Sequence, residues 1–248
     1  MNLKTESAKQ LYRYWELELE RDTWQRSVDM AKEQLAQSKY RKREADAALL
    51  EYEGSLKAFF DKCSGKFEDK REALAQEASS ASAQLQNVRQ QLDRGQENLE
   101  AVEHAWQMLP QPEDSRSCLD ELDPEERKCV LNKETEVYVN RIIPLLQSAR
   151  ESLEEAQQWA RPNNRIDTAP GYTEGILLSN AEKTAKDCAV ILNKLRACGM
   201  KMETHPFFDN PSGYINGSAR QYGKLDRING ALDAIARTQR QVKGISPE

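Results

Sequence analysis

Proline and glycine are nearly missing from the first 109 residues of this 248-residue chain. All nine prolines lie at or after Pro110, and only Gly54, Gly65 and Gly95 among the eleven glycines precede it. Proline costs a helix interior about 3 kcal/mol and glycine about 1 kcal/mol, so a stretch poor in both remains helical over a long distance. The sequence therefore predicts long helices before Pro110 and shorter helices after it.

Apolar residues are also scarce, because only 38% of the chain is hydrophobic while 31% is charged. This balance fits a thin helical arm, in which each helix buries a single stripe. The longest apolar run, from Ile142 to Leu146, includes a proline and falls far short of the 18 or so residues that a membrane-spanning helix needs. The first residues lack the apolar core of a secretory signal. We therefore expect a cytoplasmic protein without a membrane partner.

Residues that commonly carry chemistry are few. No cysteine spacing fits a zinc site, and the sequence contains no glycine-rich phosphate loop. Of the two histidines, we interpret His104 as a helix-surface residue and His205 as part of a loop anchored by phenylalanines; a base oriented by Asp209 is the less favoured hypothesis for His205. The sequence predicts no catalytic, cofactor or metal site, and we expect that the protein is not an enzyme. The cysteines are odd in number and widely spaced, which is typical of reduced thiols: Cys63, Cys118, Cys129, Cys188 and Cys198.

Apolar residues in the first 109 positions recur at alternating intervals of three and four, which is the period of a coiled coil. One series runs from position 14 to position 63, includes Leu56 and Phe59, and is apolar at 12 of its 15 positions. A second series runs from position 74 to position 109 with the same period. Both series therefore predict helices that bury one narrow seam.

The two series are out of step, which indicates an interruption between them. We interpret it as a turn near Gly65, since glycine is favoured just past a helix end; a stutter within one continuous helix is the alternative. A chain that folds back about Gly65 pairs Leu35 with Gly95 and Val28 with Val102, and large side chains often face small ones. The sequence thus predicts an antiparallel coiled-coil hairpin.

Shorter helices follow a predicted linker at 110–115. Asp123 and Pro124 form a helix-start signal, and the third helix is predicted to run to about Ala160 with a kink near Pro144. No segment alternates as a strand does, so the predicted class is all-α, with the long hairpin joined to a bundle of about three further helices. The remaining predicted elements are a loop at 161–172, a fourth helix at about 173–198, the segment 200–217 and a fifth helix at about 218–242.

We divide the chain into a coiled-coil arm at 21–109 and a helical bundle head formed by 1–20 and 123–248. An apolar cluster near the N-terminus covers more than one side of its helix, which predicts burial by several neighbours. The third helix either joins this head or lies along the arm, and the sequence leaves both arrangements open. The members of the cluster are Leu11, Tyr12, Tyr14, Trp15, Leu17 and Leu19.

The segment 200–217 is the only extended aromatic loop that the sequence predicts. We expect adjacent Phe207 and Phe208, together with Tyr214, to be shielded from water, because loops seldom expose large apolar side chains. They pack either against the core of the head or against another molecule, and the sequence leaves both open. In the second case these three residues bind a partner, since aromatic anchors contribute disproportionately to interface energy.

A rigid two-helix arm without a pocket suits spacing and bridging. We therefore predict a non-enzymatic coiled-coil scaffold or adaptor that mediates protein–protein interaction, with other proteins as its partners. The same seam also suits pairing of two copies in a homodimer. The alternative is a nucleic-acid-binding protein that uses basic residues of the arm, such as the run at 39–43, although helical geometry points that run in several directions.

Overall fold

The structure, a computed structural model, describes residues 3–109, 119–160, 170–216 and 221–244. These ranges contain helices and no strand, so the predicted all-α class is confirmed. Some predicted features lie outside the described residues. They are the linker at 110–115, Cys118, most of the loop at 161–172 and the start of the fifth helix at 218. The helices are α1 (Glu6–Glu53), α2 (Leu56–Cys63), α3 (Phe67–Gln107), α4 (Pro124–Ala160), α5 (Pro170–Ala197), α6 (Pro206–Asp209), α7 (Pro211–Asn216) and α8 (Gln221–Lys243).

The chain forms two compact units. One is Leu17–Pro110, and the other combines Met1–Glu16 with Gln111–Glu248. The boundaries predicted from the sequence, 21–109 for the arm and 1–20 with 123–248 for the head, stay predictions. Among the described helices, none is apolar over the length that crossing a membrane requires.

The first unit is a helical hairpin built from most of α1, the short helix α2, and α3. Its turn lies near Gly65, as predicted, and this glycine has a φ of +72°. Buried and half-buried positions together recur every three or four residues along both long helices, as the sequence predicts. They include Val28, Ala31, Ser38 and Ala45 on α1, and Leu85, Val88, Gly95 and Val102 on α3.

The predicted pairing of the two long helices is wrong by seven residues. Gly95 faces Val28 rather than Leu35, because a Cβ atom added to Gly95 would lie 3.2 Å from the Cγ2 atom of Val28. The physical reason is that α1 ends at Glu53, well before the turn at Gly65. The short helix α2 therefore forms the closed end of the hairpin, here called the corner, and the point at which the chain reverses direction shifts toward the N-terminus. An ion pair across the hairpin agrees with this register, since Arg71 Nε lies 3.0 Å from Glu53 Oε1.

The second unit is a bundle in which α4 packs mainly against α5 and also against α8. As predicted, α4 begins at Pro124, where the carbonyl of Asp123 accepts a 2.9 Å hydrogen bond from the amide of Arg127, and it continues past Pro144. Completely burying a Val, Leu or Ile side chain contributes about 1.5–3 kcal/mol, so the apolar stripe of α4 is a main source of stability. Its fully buried members are Val130, Val137, Ile142, Leu146, Ala149, Leu153 and Ala156.

The first turns of α1 belong to this second unit. The rings of Trp15 and Tyr138 meet edge to face with their centroids 5.6 Å apart, and Leu11 and Tyr14 are buried. The predicted burial of the N-terminal apolar cluster is thus confirmed at these positions. Buried Glu126 on α4 accepts hydrogen bonds from the backbone and the hydroxyl of Thr5, and these bonds hold its pKa below its usual value although burial opposes this.

Candidate functional site

The short helix α2 exists because the sequence interrupts α1 after Glu53. Gly54 and Ser55 separate the two helices, and Ser55 caps the second one with a hydroxyl oxygen that accepts a 3.1 Å hydrogen bond from the amide of Ala58. The same hydroxyl donates a 2.8 Å hydrogen bond to the carbonyl of Tyr52. Serine in an extended backbone conformation is a favoured N-cap, so a new helix begins here.

A left-handed glycine ends α2. Because Gly65 has a positive φ, the amide of Lys66 reaches back to donate a 3.0 Å hydrogen bond to the carbonyl of Asp61. Glycine adopts this conformation without a steric penalty, which explains its frequency just past helix ends. The chain then enters α3 at Phe67, so that α2 is held between two helix ends.

One face of α2 is anchored by a buried carboxylate. Asp61 accepts hydrogen bonds of 3.0 and 2.9 Å from Nζ of Lys70 and a 3.0 Å hydrogen bond from the hydroxyl of Tyr52. These groups tie α2 to α3 and to the last turn of α1. The bonds from Lys70 hold the pKa of Asp61 below its usual value although burial opposes this, and burial next to the carboxylate raises the pKa of Tyr52.

Aromatic packing supports the same anchor. The ring of Tyr52 stacks on Phe67 with the centroids 5.8 Å apart, and Nζ of Lys62 lies 4.4 Å from the centroid of the Phe67 ring. Stacked rings and cation–π contacts each contribute roughly 0.5–1.5 kcal/mol. The orientation of α2 is therefore determined by polar and aromatic contacts on its inner side.

The opposite side of α2, here called the outer face, consists of Leu56, Phe59 and Phe60. Their exposed fractions are 80%, 62% and 68%, and the two phenylalanine rings meet edge to face at 5.9 Å. Isolated exposed apolar residues are ordinary, but three large ones on two turns of one helix form a patch that indicates an interaction surface. The helix is thus amphipathic with its apolar side toward solvent.

Positive charge borders the outer face. Successive helical residues are rotated by about 100°, so Lys57 and Lys62 flank the apolar side chains on opposite borders, and both are exposed. Lys66 is exposed in the turn. The corner therefore combines an apolar centre with a basic rim.

Sequence reasoning placed two of the outer-face residues incorrectly. Leu56 and Phe59 were predicted to lie in the seam, and the structure exposes both. The reason is the break at Gly54 and Ser55, after which Ala58 occupies the inner position. The signals that could have revealed the surface were the glycine–serine pair, a helix-breaking and helix-capping combination, and the adjacent phenylalanines 59 and 60.

The residues predicted to bind a partner, Phe207, Phe208 and Tyr214, lie together in the second unit. The predicted loop forms the short helices α6 and α7 instead, each with proline as its first residue. Phe207 and Phe208 are buried with their ring centroids 5.2 Å apart, and Tyr214 is half-buried at 6.0 Å from Phe207. The two phenylalanines thus stabilise the bundle, and Tyr214 is the most exposed of the three residues.

The histidines and the basic run occupy other parts of the molecule. Nδ1 of His205 accepts a 3.1 Å hydrogen bond from the amide of Phe207, which makes this side chain the cap of α6, and burial lowers its pKa. His104 is exposed on α3. In the run at 39–43, Lys42 forms an ion pair with Asp46 while the other members are exposed.

Comparisons with protein-family models, with curated proteins and with solved structures found no match to this chain.

Proposed function

We propose that this chain is a non-enzymatic scaffold or adaptor that binds other proteins through the outer face of α2, at the corner of a coiled-coil hairpin. The observation that carries the proposal is the exposure of Leu56, Phe59 and Phe60 on a helix whose inner side is anchored by buried Asp61. The proposal includes a cytoplasmic location. Pairing of two copies through the seam stays a prediction.

The composition of α2 supports an interaction rather than a purely architectural corner. Ala58 and Asp61 already provide the contacts that close the hairpin, so polar residues on the solvent side would close it equally well. Leucine and phenylalanine at those positions gain free energy only when something covers them. Covering each contributes about 1.5–3 kcal/mol, and aromatic side chains are frequent anchors at interfaces.

The anchor also lowers the cost of binding. A helix held by Asp61, Tyr52 and Lys70 presents its apolar side chains in one arrangement before a partner arrives. Association then requires less ordering of the backbone, and more of the interaction energy appears as affinity. This is the arrangement expected of a surface that recognises a partner.

Co-purification with variant chains tests the proposal. We expect Phe59→Ser together with Phe60→Ser to abolish capture of at least one protein that the unchanged chain retains, as measured by quantitative mass spectrometry. Tyr40→Ser is the matched control, because Tyr40 is an exposed aromatic residue of the same hairpin. Surface changes of this kind shift stability by about 0.5 kcal/mol or less, so circular dichroism and thermal melting should show all three chains folded.

The proposal fails if the double variant retains the same proteins as the unchanged chain. It also fails if Tyr40→Ser loses those proteins to the same extent, because binding would then be distributed along the hairpin rather than located on α2.

A further inference from the structure

We infer that the partner of the outer face presents an apolar helical stripe bordered by acidic side chains; this inference rests on the proposed function and names the chemistry of its partner. The apolar centre, Leu56, Phe59 and Phe60, would pack against the stripe. The lysines of the rim, Lys57 and Lys62, would meet the acidic borders.

The charges at the corner divide into paired and available groups. The carboxylate of Asp61 is engaged by Lys70, and the carboxylates of Glu53 and Glu68 are both within ion-pair distance of Arg71. Within the described part of the chain, no ion pair engages Lys57, Lys62 or Lys66, and all three are exposed. The ammonium of Lys62 also contacts the ring of Phe67, which leaves its charge without a carboxylate partner. Among the described residues, the borders of the outer face therefore carry positive charge that no carboxylate engages in an ion pair, whereas Asp61, Glu53 and Glu68 are held by Lys70 and Arg71. Asp69, in the first turn of α3, is exposed and lies outside these pairs.

This charge distribution disfavours a second copy of the chain as the occupant. Two outer faces brought together would place lysine rims against each other, and like charges at an interface cost free energy as the water between them is removed. A partner with carboxylates at matching positions gains from the same geometry, because complementary charge raises the association rate and determines the orientation of docking.

The dimensions of α2 favour a partner helix over a lipid surface. The affinity of an amphipathic helix for a membrane interface scales with the apolar area that it inserts. α2 has 8 residues and three large exposed apolar side chains. Residues three and four apart lie on one side of a helix, so two turns of a partner helix present an apolar stripe about as long as the outer face.

A display experiment with the full chain as the target tests the inference. The probe is a library of 16-residue amphipathic helical peptides with a constant leucine stripe and random residues on both borders. Counter-selection against the Phe59→Ser and Phe60→Ser double variant retains peptides that use the outer face. We expect the enriched peptides to carry Asp and Glu at the borders at least threefold above the starting library.

Charge variants then measure the contribution of the rim. We expect Lys57→Glu with Lys62→Glu to weaken binding of the enriched peptides at least tenfold, and Lys57→Gln with Lys62→Gln, which introduces no repulsion near Asp61, to weaken it at least threefold. Lys39→Glu with Arg43→Glu is the matched control, because both residues are exposed on α1. This control pair should leave the affinity unchanged.

The outcomes separate the inference from the proposed function. Peptides that depend on Phe59 and Phe60 but show no acidic bias overturn the inference and leave the proposed function intact. A failure to enrich any peptide against the double variant counts against both. Binding of vesicles containing phosphatidylserine that depends on Phe59 and Phe60 overturns the inference in favour of a lipid surface, and dimerisation through the same residues overturns it in favour of a second copy.

Discussion

The hydroxyl of Tyr52 donates a 3.0 Å hydrogen bond to the carboxylate of Asp61, and this contact joins the last turn of α1 to α2. Lys70 completes the site from α3. A buried carboxylate is an unusual choice for the inner side of an amphipathic helix, because it requires every partner to be present. It holds α2 in position without using the apolar side chains, which leaves the outer face available for a partner.

The first prediction concerns acid. Because the pKa of Asp61 is lowered in the folded chain, its stabilisation is complete above the unfolded pKa of about 3.9 and is lost as the pH falls through the folded value. Amide signals of residues 56–63, followed by NMR from pH 6 to pH 2, should therefore move toward unfolded positions below about pH 4. In Asp61→Asn they should show a loosened α2 already at pH 6. Asp69→Asn, at an exposed neighbour, is the control and should titrate as the unchanged chain does.

The second prediction tests the register of the hairpin. Gly95→Leu should destabilise the chain by about 1–3 kcal/mol in urea, because the new side chain overlaps Val28. Val28→Ala should relieve much of that loss in the double variant, whereas Leu35→Ala should add to it independently. The opposite pattern, with relief by Leu35→Ala alone, would show that the observed register is incorrect.

The third prediction concerns α7 and α8 in the bundle. A Cβ atom on Gly230 would lie 2.3 Å from the hydroxyl oxygen of Tyr214 but 3.6 Å from the ring carbon that bears it. We expect Gly230→Ala to cost about 1–3 kcal/mol in the unchanged chain. In a Tyr214→Phe background the same substitution should instead stabilise by about 0.5–1 kcal/mol, since alanine is the better helix former. Thermal melting of the four chains measures the change of sign, and its absence would refute the close contact.

The fourth prediction separates the two phenylalanine pairs. Phe207→Ala should lower the free energy of unfolding by about 3–5 kcal/mol, because its side chain is fully buried. Phe59→Ala is the matched control, and it should change that energy by about 0.5 kcal/mol or less, since Phe59 is exposed. Unchanged stability with loss of a partner in Phe207→Ala would instead establish the α6 region as the binding site.

The periodicity of the sequence predicted the hairpin and its seam, but periodicity alone cannot select the register. A shift of seven residues returns every seam position to another seam position, so Gly95 meets a seam residue of α1 whether it faces Leu35 or Val28. Side-chain size did not resolve the choice, because the small residue fits against either neighbour. What decided it was the break at Gly54 and Ser55, which shortens α1 before the turn.

The outer face was missed for the same reason. Leu56 and Phe59 continue the seam spacing of α1, and an uninterrupted helix would have buried them. A glycine within a long helical pattern is tolerated at a cost of about 1 kcal/mol, so Gly54 alone did not indicate a break. The structure shows that Ser55 caps a new helix directly after Gly54, and this cap completes the break. In the region after α5, Pro206 and Pro211 start short helices, whereas their local sequence indicated a loop.

Photo-crosslinking tests whether the outer face of α2 carries the interaction. A benzoylphenylalanine in place of Phe60, in the full chain exposed to lysate of its source cells, should form covalent adducts with other polypeptides, and Leu56→Ser with Phe59→Ser should abolish them. The same photoreactive residue in place of Tyr40, which is equally exposed, should form few. Adducts that form at Tyr40 as readily as at Phe60, or that persist in the double variant, would show that the outer face of α2 is not the interaction surface.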